Sequence, residues 1–258
     1  MRVLLLGDIF GRPGRKIAAE FLPQLREEYE FDFIVANGEN AAGGFGLNRK
    51  TAEELFSLGI DVLTGGNHTW DQNEMAAYID LEPRVLRPAN YPPGVPGKGV
   101  FVHESLALAV INLSGRVFMA DLDCPFRTID EILENLPEYI KYIIVDFHAE
   151  ATSEKLALGY YLDGRVSVVA GTHTHVPTAD LRILEGGTAY VTDLGMCGPQ
   201  NGVLGVEPEA IISKYITQMP TRFKVAKGPT QLWGIVVDLD ENGRAVKVDR
   251  VERYNFNI

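Results

Sequence analysis

Short apolar runs alternate with longer segments of helical periodicity along this sequence, and that alternation restricts the possible folds more than any other feature. The runs "RVLLL", "FDFIVA" and "IDVLTGG" are separated by "GRKIAAEFLPQLREEY" and "LNRKTAEELFSLG". These two longer segments carry apolar residues at helical spacing, and Asn48 is a suitable cap for the second helix. Continuous apolar strands separated by helices are typical of βαβ units, in which helices cover both faces of a parallel sheet.

The second half of the chain changes from parallel units to hairpins. After a loop rich in Pro and Gly, "VFVHES" and "LALAVINL" predict one hairpin, and "GIVVDLDENGRAVKVDRVERY" predicts another. Between them, "TIDEILENLPEYI" predicts a helix, and "KYIIVDF" and "RVSVVAG" predict buried strands. A sheet that starts parallel and finishes in antiparallel hairpins indicates two packed sheets with helices outside. Because no internal repeat or domain boundary is evident, we expect one domain over residues 1–258.

Composition excludes several classes of protein. The chain has 258 residues, of which 46% are hydrophobic, and 24 Lys and Arg against 35 Asp and Glu give a net charge of −11. This charge argues against tight non-specific binding to nucleic acid, whose affinity depends on basic residues. A small phosphorylated substrate stays open, because a bound metal can supply positive charge locally. With two cysteines and no apolar stretch long enough to span a membrane, we expect a soluble protein of the reducing cytoplasm.

Five of the predicted strands end in side chains that can bind metal. These side chains are Asp8 after "RVLLLG", Glu39 and Asn40 after "FIVANG", Asn67 and His68 after "DVLTGG", His148 after "YIIVDF", and His173 and His175 in "GTHTH". In open α/β sheets, ligands bind in the crevice beyond the carboxyl ends of the strands. We therefore expect these residues to converge on one crevice, which would hold four of the chain's five histidines.

Each of these residues taken singly also has an ordinary structural interpretation. Asp8 is typical of a turn or helix cap, Glu39 and Asn40 of a loop, and His148 of a core histidine with its hydrogen bonds satisfied. His173 and His175 would point to the same side of an extended chain, which predicts that they share a ligand. The coincidence of all five strand ends favours a metal site over the separate interpretations.

The mixture of donors restricts the metal. Carboxylate, amide oxygen and imidazole without thiolate suit Mn, Fe or Zn. Six or seven donors are too many for one tetrahedral ion, and they fit two ions that share a carboxylate. Two-metal sites serve in-line displacement at phosphorus, because the attacking and the leaving oxygen both need their charge stabilised.

These motifs resemble a known superfamily. An early "GD", then "GGNH", a single histidine at a strand end and "GTHTH" are similar to the metallophosphoesterase (calcineurin-like) pattern over residues 7–175. The strings "LGDIFGRPGR", "NGENAAGGFG" and "TDLGMCGP" resemble more closely its YmdB-like branch of bacterial phosphodiesterases, over essentially the whole chain. The resemblance implies an α/β fold, a four-layer α-β-β-α sandwich of two mixed sheets, with a dinuclear centre between loops at one end.

The resemblance also implies a role for each site residue. Glu39 would bridge two divalent ions, with Asp8, Asn40 and His175 completing one coordination sphere and Asn67, His148 and His173 the other. Fe or Mn would be favoured as these ions, with Zn as the other candidate. A hydroxide held by them would attack the phosphodiester, and His68 would act as general acid; 2′,3′-cyclic nucleotides are the implied substrates. No substrate-binding residue is assigned.

The sequence departs from the wider superfamily at two positions. Phe10 stands where that pattern has a histidine, and Glu39 replaces an aspartate; Asn40 would fill the place that Phe10 leaves, as in the YmdB-like branch. Two other functions stay open: a phosphomonoesterase or nucleotidase, and a regulatory RNA-associated protein with a structural metal. A TIM-barrel amidohydrolase is disfavoured, because its His-x-His pair belongs on the first strand and here the pair comes after residue 170. A homo-oligomer is also open.

Overall fold

The strands and helices alternate along the chain much as the apolar pattern predicts. The computed structural model describes residues 1–256. Its strands are β1 (Arg2–Leu6), β2 (Asp8–Ile9), β3 (Phe33–Asn37), β4 (Val62–Thr64), β5 (Val100–His103), β6 (Leu108–Ser114), β7 (Tyr142–His148), β8 (Val168–Thr172), β9 (Arg182–Ile183), β10 (Ala189–Val191), β11 (Met196–Pro199), β12 (Thr230–Leu239) and β13 (Ala245–Asn255). The helices are α1 (Gly11–Tyr29), α2 (Arg49–Ser57), α3 (Met75–Tyr78), α4 (Pro125–Asn135), α5 (Thr152–Tyr161) and α6 (Pro208–Thr217), with a 3-10 turn at Glu104–Leu106.

The strands form two mixed sheets. In the first, the order is β2-β11-β12-β1-β3-β4, with β13 paired along β12. The β1–β3 and β3–β4 pairs are parallel, whereas β12 runs antiparallel to β1 and to β13. The order in the second sheet is β5-β6-β7-β8-β10-β9, with a parallel centre and antiparallel edges. Both predicted hairpins, β5–β6 and β12–β13, are therefore confirmed.

Buried side chains show how the two sheets and the helices stack. Leu5 and Ile144 belong to a cluster that joins the inner faces of the two sheets. Leu22 of α1 packs on the outer face of the first sheet, and Ile129 of α4 and Leu158 of α5 pack on the outer face of the second. The layers thus follow the order helix, sheet, sheet, helix, and the predicted four-layer α-β-β-α sandwich is confirmed. That all of it forms one domain stays a prediction.

Local sequence chemistry explains where two of the helices begin and end. The Asn48 side chain accepts from the Thr51 backbone N–H, so the predicted cap of α2 is confirmed. The predicted bounds of α4 are wrong, because the helix spans Pro125–Asn135 instead of "TIDEILENLPEYI". Proline fits the first turn of a helix, and Leu136 is extended because it precedes Pro137.

The sheet topology brings the candidate residues to one end of the molecule. In the parallel pairs β1–β3, β3–β4, β6–β7 and β7–β8, the carboxyl ends of the strands lie side by side. The two sheets pack face to face, so the loops after β1, β3, β4, β7 and β8 meet there. Among the helices of residues 1–256, none is long and apolar enough to cross a bilayer.

Candidate metal centre

One group of donors surrounds His148, the last residue of β7. Its Nε2 lies 2.9 Å from the Asn67 Oδ1, 3.2 Å from the Glu39 Oε1 and 3.1 Å from the His173 Nδ1. The ligand atoms of Glu39, His148 and His173 lie close enough together to share one ion. A single ring nitrogen cannot donate a hydrogen bond to three acceptors at once, whereas one cation can be coordinated by all four atoms.

The outer hydrogen bonds of these histidines orient their lone pairs toward each other. The Thr172 hydroxyl donates to Asp146 at 2.7 Å, so its remaining lone pair accepts from the His148 Nδ1, 3.0 Å away. The His173 Nε2 lies 3.0 Å from the Glu150 carboxylate, to which it donates. The inward nitrogens of His148 and His173 are therefore the metal-binding ones, since outer partners of this kind fix the tautomer of a ligating histidine.

A second group of donors surrounds His175. Its Nδ1 donates to the Leu204 carbonyl at 3.1 Å, which leaves the Nε2 lone pair 3.2 Å from the Asn40 Oδ1 and 3.7 Å from the Asp8 Oδ1. The Asn40 amide nitrogen donates to Glu39, so the Asn40 oxygen faces the histidine. The buried Asp8 Oδ1 has no hydrogen-bond partner. Facing lone pairs and an unpaired carboxylate oxygen fit a divalent cation.

Glu39 connects the two groups. Its Oε1 lies 3.2 Å from the His148 Nε2 and accepts from the Asn40 amide at 3.2 Å, while its Oε2 accepts from the His68 backbone N–H. A carboxylate placed between two sets of donors is the arrangement that a shared ligand requires. The close approach also requires Gly66, because a Cβ there would lie 2.3 Å from the Glu39 Oε2.

The ionisation of these side chains follows from their crowding. Burial alone would raise the pKa of Glu39, but the charges of His148 and His68 outweigh it and lower the pKa to about 2. Burial alone would lower the pKa of His148, but Glu39 and Asp8 outweigh it and raise the pKa to about 9. For His173, burial and the charge of His148 lower the pKa to about 3. The acidic side chains thus favour positive charge at this point, which suits a bound cation.

The backbone of the "GTHTH" motif differs from the extended chain that its sequence predicts. Strand β8 ends at Thr172, and His173 and His175 have φ values of 96° and 63°. The expectation that both imidazoles point to one side of a strand is therefore wrong, because a left-handed turn sends them to different donor groups. Such φ values are costly in residues with a Cβ, so the surrounding structure must stabilise them.

Asp193 and Lys155 supply that stabilisation. The Asp193 Oδ2 accepts from the backbone N–H and the hydroxyl of Thr174, the residue between the two histidines. The Lys155 ammonium, fully buried in α5, donates to Asp193 and to the Thr172 carbonyl at 2.7 Å each. Nothing in the helical pattern around Lys155 predicts its burial or its role.

Asp146 anchors the donor end from the second sheet. It accepts hydrogen bonds from Asn37, Thr64 and Thr172, which lie on β3, β4 and β8. The carboxylate thus joins the ends of both sheets directly below His148. The sequence signal was present, because Asp146 interrupts the apolar run of "YIIVDFH".

His68 lies beside the donors, and its side chain turns away from that of Asn67. The His68 Nδ1 lies 2.7 Å from the Asp71 carboxylate, and the Phe45 ring meets the imidazole edge-on with centroids 5.2 Å apart. Both His68 and Phe45 line a cavity of about 350 Å³ that opens onto the donors. A histidine whose Nδ1 is held by a carboxylate can transfer a proton through its other nitrogen. The sequence did not single out Asp71.

Every residue that the sequence assigns to the site lies at this end, and the fifth histidine does not. His103 is half-buried at the end of β5, where it packs edge-on against Phe33. Phe10, which stands where the superfamily has a histidine, is buried edge-on against His175. The Asn40 Oδ1 lies 3.2 Å from the Nε2 of the same imidazole, as expected if Asn40 serves in place of a histidine at position 10.

Known proteins match this chain over nearly its full length. A 2′,3′-cyclic-nucleotide 2′-phosphodiesterase of Bacillus subtilis (strain 168) is 51% identical over 254 residues, which cover 97% of this chain and 96% of the relative. The crystal structure of a novel phosphatase from Mycoplasma pneumoniae superposes with a TM-score of 0.93 at 35% identity, and the match covers 98% of this chain and 93% of the phosphatase chain. A hypothetical protein of Thermus thermophilus superposes with a TM-score of 0.93 at 42% identity, covering 98% of this chain and 99% of its own.

The resemblance read from the motifs is confirmed by these matches. The model of the YmdB-like protein family matches residues 4–251, and this range contains all of the donors, His68 and Asp71. The chain belongs to the YmdB-like family.

Proposed function

We propose that this protein is a metal-dependent phosphodiesterase that hydrolyses 2′,3′-cyclic nucleotides. It would use two divalent metal ions, for which we favour Fe or Mn over Zn. The observation that carries the proposal is the convergence of acceptor atoms around the inward nitrogens of His148 and His175. The name of the Bacillus subtilis relative, a 2′,3′-cyclic-nucleotide 2′-phosphodiesterase, supports the substrate class.

Each donor group would hold one ion. Asn67, His148 and His173 would bind the first ion and Asp8, Asn40 and His175 the second, with Glu39 between them. When bound, two such ions activate a water molecule and offset the charge of the phosphate during in-line displacement. Thr172, Glu150 and the Leu204 carbonyl orient the imidazoles for this role.

His68 would supply the proton that the leaving group needs. As the oxygen of water bonds to phosphorus, the bond from phosphorus to the 2′ oxygen breaks, and the 2′ oxygen takes a proton to leave a 3′-phosphate. The His68 imidazole lines the cavity beside Glu39, and Asp71 holds its Nδ1. General acid catalysis of this kind contributes about 10²- to 10⁴-fold.

One set of assays tests the proposal. The purified protein would be analysed for bound metals and assayed on 2′,3′-cyclic AMP, a phosphomonoester and bis(p-nitrophenyl) phosphate. We expect about two divalent ions per chain, as in two-metal phosphodiesterases, and preferential hydrolysis of the cyclic nucleotide to the 3′-phosphate. Preference for the monoester would favour the nucleotidase alternative, and an inactive protein with a bound metal would favour the structural role.

The leaving group separates the role of His68 from that of the metals. We expect His68→Ala to lower kcat on 2′,3′-cyclic AMP by about 10²-fold or more. The loss on bis(p-nitrophenyl) phosphate should be much smaller, because p-nitrophenolate leaves without a proton. His103→Ala is the matched control, since His103 lies outside the site. An equal loss on both substrates would contradict the role of His68 as acid.

The setting of the enzyme is part of the same proposal. We expect a single-domain protein of the cytoplasm, where two unpaired cysteines stay reduced, without tight non-specific binding to nucleic acid because of its net charge of −11. Size-exclusion chromatography with light scattering would determine whether the chain forms a homo-oligomer.

A further inference from the structure

The cavity above the donors has two chemically different sides. Its polar side contains Glu39, Asn40, His68, His173 and His175. The facing side is formed mainly by the segment 203–223, whose side chains here are Val203, Leu204, Val206, Ile211, Tyr215 and Phe223. Phe45, whose ring meets His68 edge-on, also lines the cavity. We call Phe45 and these six residues the apolar wall.

Several side chains of the apolar wall are exposed although they are hydrophobic. Tyr215 is 73% exposed, Leu204 46% and Phe45 36%, and α6 has no buried residue at all. An apolar patch of this kind beside a polar site marks a ligand-binding surface. The cavity of about 350 Å³ also exceeds what a single phosphate group fills.

We propose that the apolar wall is a nucleobase site, with Tyr215 and Phe45 as its aromatic members. This inference rests on the proposed function, since the phosphate of the substrate must lie at the donors. With the cyclic phosphate there, the sugar and base extend toward the facing side of the same cavity. Aromatic side chains bind any base through its π-face, so this wall selects a nucleoside without strong preference for one base.

The charges near the cavity indicate a mononucleotide and not the end of an RNA chain. Neither lysine nor arginine is among the described residues that line it, although Lys214 lies 5.0 Å from the Phe223 ring nearby. The cationic side chains of Arg12, Lys16 and Lys227 line a separate cavity. Proteins that follow a nucleic-acid backbone place cations along it, because the phosphates dominate the affinity.

A substrate without a base tests the site directly. The two substrates are 2′,3′-cyclic AMP and the 2′,3′-cyclic phosphate of methyl riboside, which has the same reacting ring. We expect the wild type to prefer the nucleotide and Tyr215→Ala to reduce that preference in kcat/KM about 5- to 30-fold, mainly through KM, in line with the loss of one base stack. Ile216→Ala is the matched control, because Ile216 lies next in α6, is 77% exposed and does not line the cavity.

The outcomes separate this inference from the proposed function. If the wild type uses both substrates equally, or if Tyr215→Ala lowers both equally, the nucleobase site is wrong while the phosphodiesterase stands. If neither substrate is hydrolysed, the proposed function itself fails. A trinucleotide with a terminal 2′,3′-cyclic phosphate completes the test. Its kcat/KM should not exceed that of 2′,3′-cyclic AMP, and a clearly higher value would overturn the assignment to mononucleotides.

Discussion

The donor end and the segment 203–223 border one cavity but are built in opposite ways. At the donor end, Asp8, Glu39 and His148 are buried, and hydrogen bonds to Asp146 and Asp193 fix the surrounding turns. In the segment 203–223, α6 has no buried residue. Metal coordination requires atoms held within a few tenths of an ångström, whereas a nucleobase needs only an apolar face. The contrast therefore fits the proposal, in which one side carries the chemistry and the other recognises the substrate.

The two regions are joined at one hydrogen bond. The Leu204 carbonyl, at the start of the segment, accepts from the His175 Nδ1 at 3.1 Å. Leu204 thus orients a donor through its backbone and contacts the cavity through its side chain. The segment 203–223 is therefore hydrogen-bonded directly to a candidate metal ligand.

Loss of a donor should have the largest effect. His148→Ala removes the imidazole that Glu39 and Asn67 face. We expect loss of bound metal and a fall in kcat/KM of about 10³-fold or more, because the ions contribute several kcal/mol of charge stabilisation. Elemental analysis and steady-state kinetics measure both, with His103→Ala as control. A variant that keeps its metal and its activity would place the metal elsewhere.

Disruption of the Lys155–Asp193 pair should have the next largest effect. Lys155→Met leaves a buried carboxylate without its cation, so we expect a loss of about 3–5 kcal/mol in the free energy of unfolding. Metal affinity should fall about 10- to 100-fold, because the turn that carries His173 and His175 loses support. Urea unfolding and metal titration measure the two effects.

A double variant distinguishes stability from positioning. Lys155→Met with Asp193→Leu removes the unpaired charge, so much of the stability should return. In the double variant Thr174 loses its acceptor, so metal affinity should stay low. Recovery of metal affinity together with stability would show that the ion pair does not position the histidines.

Loss of the Asp71 carboxylate should have a moderate effect. Asp71→Asn weakens the contact that holds the His68 Nδ1 without touching a donor. We expect kcat on 2′,3′-cyclic AMP to fall about 10-fold, because an orienting carboxylate fixes the tautomer of a catalytic histidine. Metal content and turnover of bis(p-nitrophenyl) phosphate should change little. A matching fall on the nitrophenyl substrate would mean that Asp71 supports the metals instead.

Substitution on the outer face of α6 should have the smallest effect. Ile216→Ser exchanges an exposed side chain that lies outside the cavity. We expect the free energy of unfolding to change by no more than about 0.5 kcal/mol and kcat/KM to stay as in the wild type. A raised KM would extend the recognition surface to this face and weaken the contrast between the two regions.

Sequence reasoning predicted the two packed sheets and the convergence of the candidate ligands, because both follow from local chemistry. Continuous apolar runs identify buried strands, and polar residues directly after them identify the carboxyl ends. Glu39, which follows the end of β3, and His148, the last residue of β7, illustrate this. Each inference needs only the residues within one element and the rule that parallel strands end together.

The parts that sequence reasoning missed depend on contacts between distant elements. Lys155 lies in a helical pattern that fits a surface lysine, and only the packing of α5 against β8 buries it beside Asp193. The left-handed turn at His173 and His175 is imposed by hydrogen bonds from outside the motif. No local propensity favours that turn, so an extended chain was the natural expectation.

Anomalous scattering from crystals of the metal-loaded protein tests the dinuclear centre most directly. We predict two peaks about 3.5–4 Å apart, as in other two-metal sites. One should lie among Asn67, His148 and His173, the other should lie among Asp8, Asn40 and His175, and Glu39 should contact both. A single peak, or peaks away from these seven residues, would contradict the dinuclear centre.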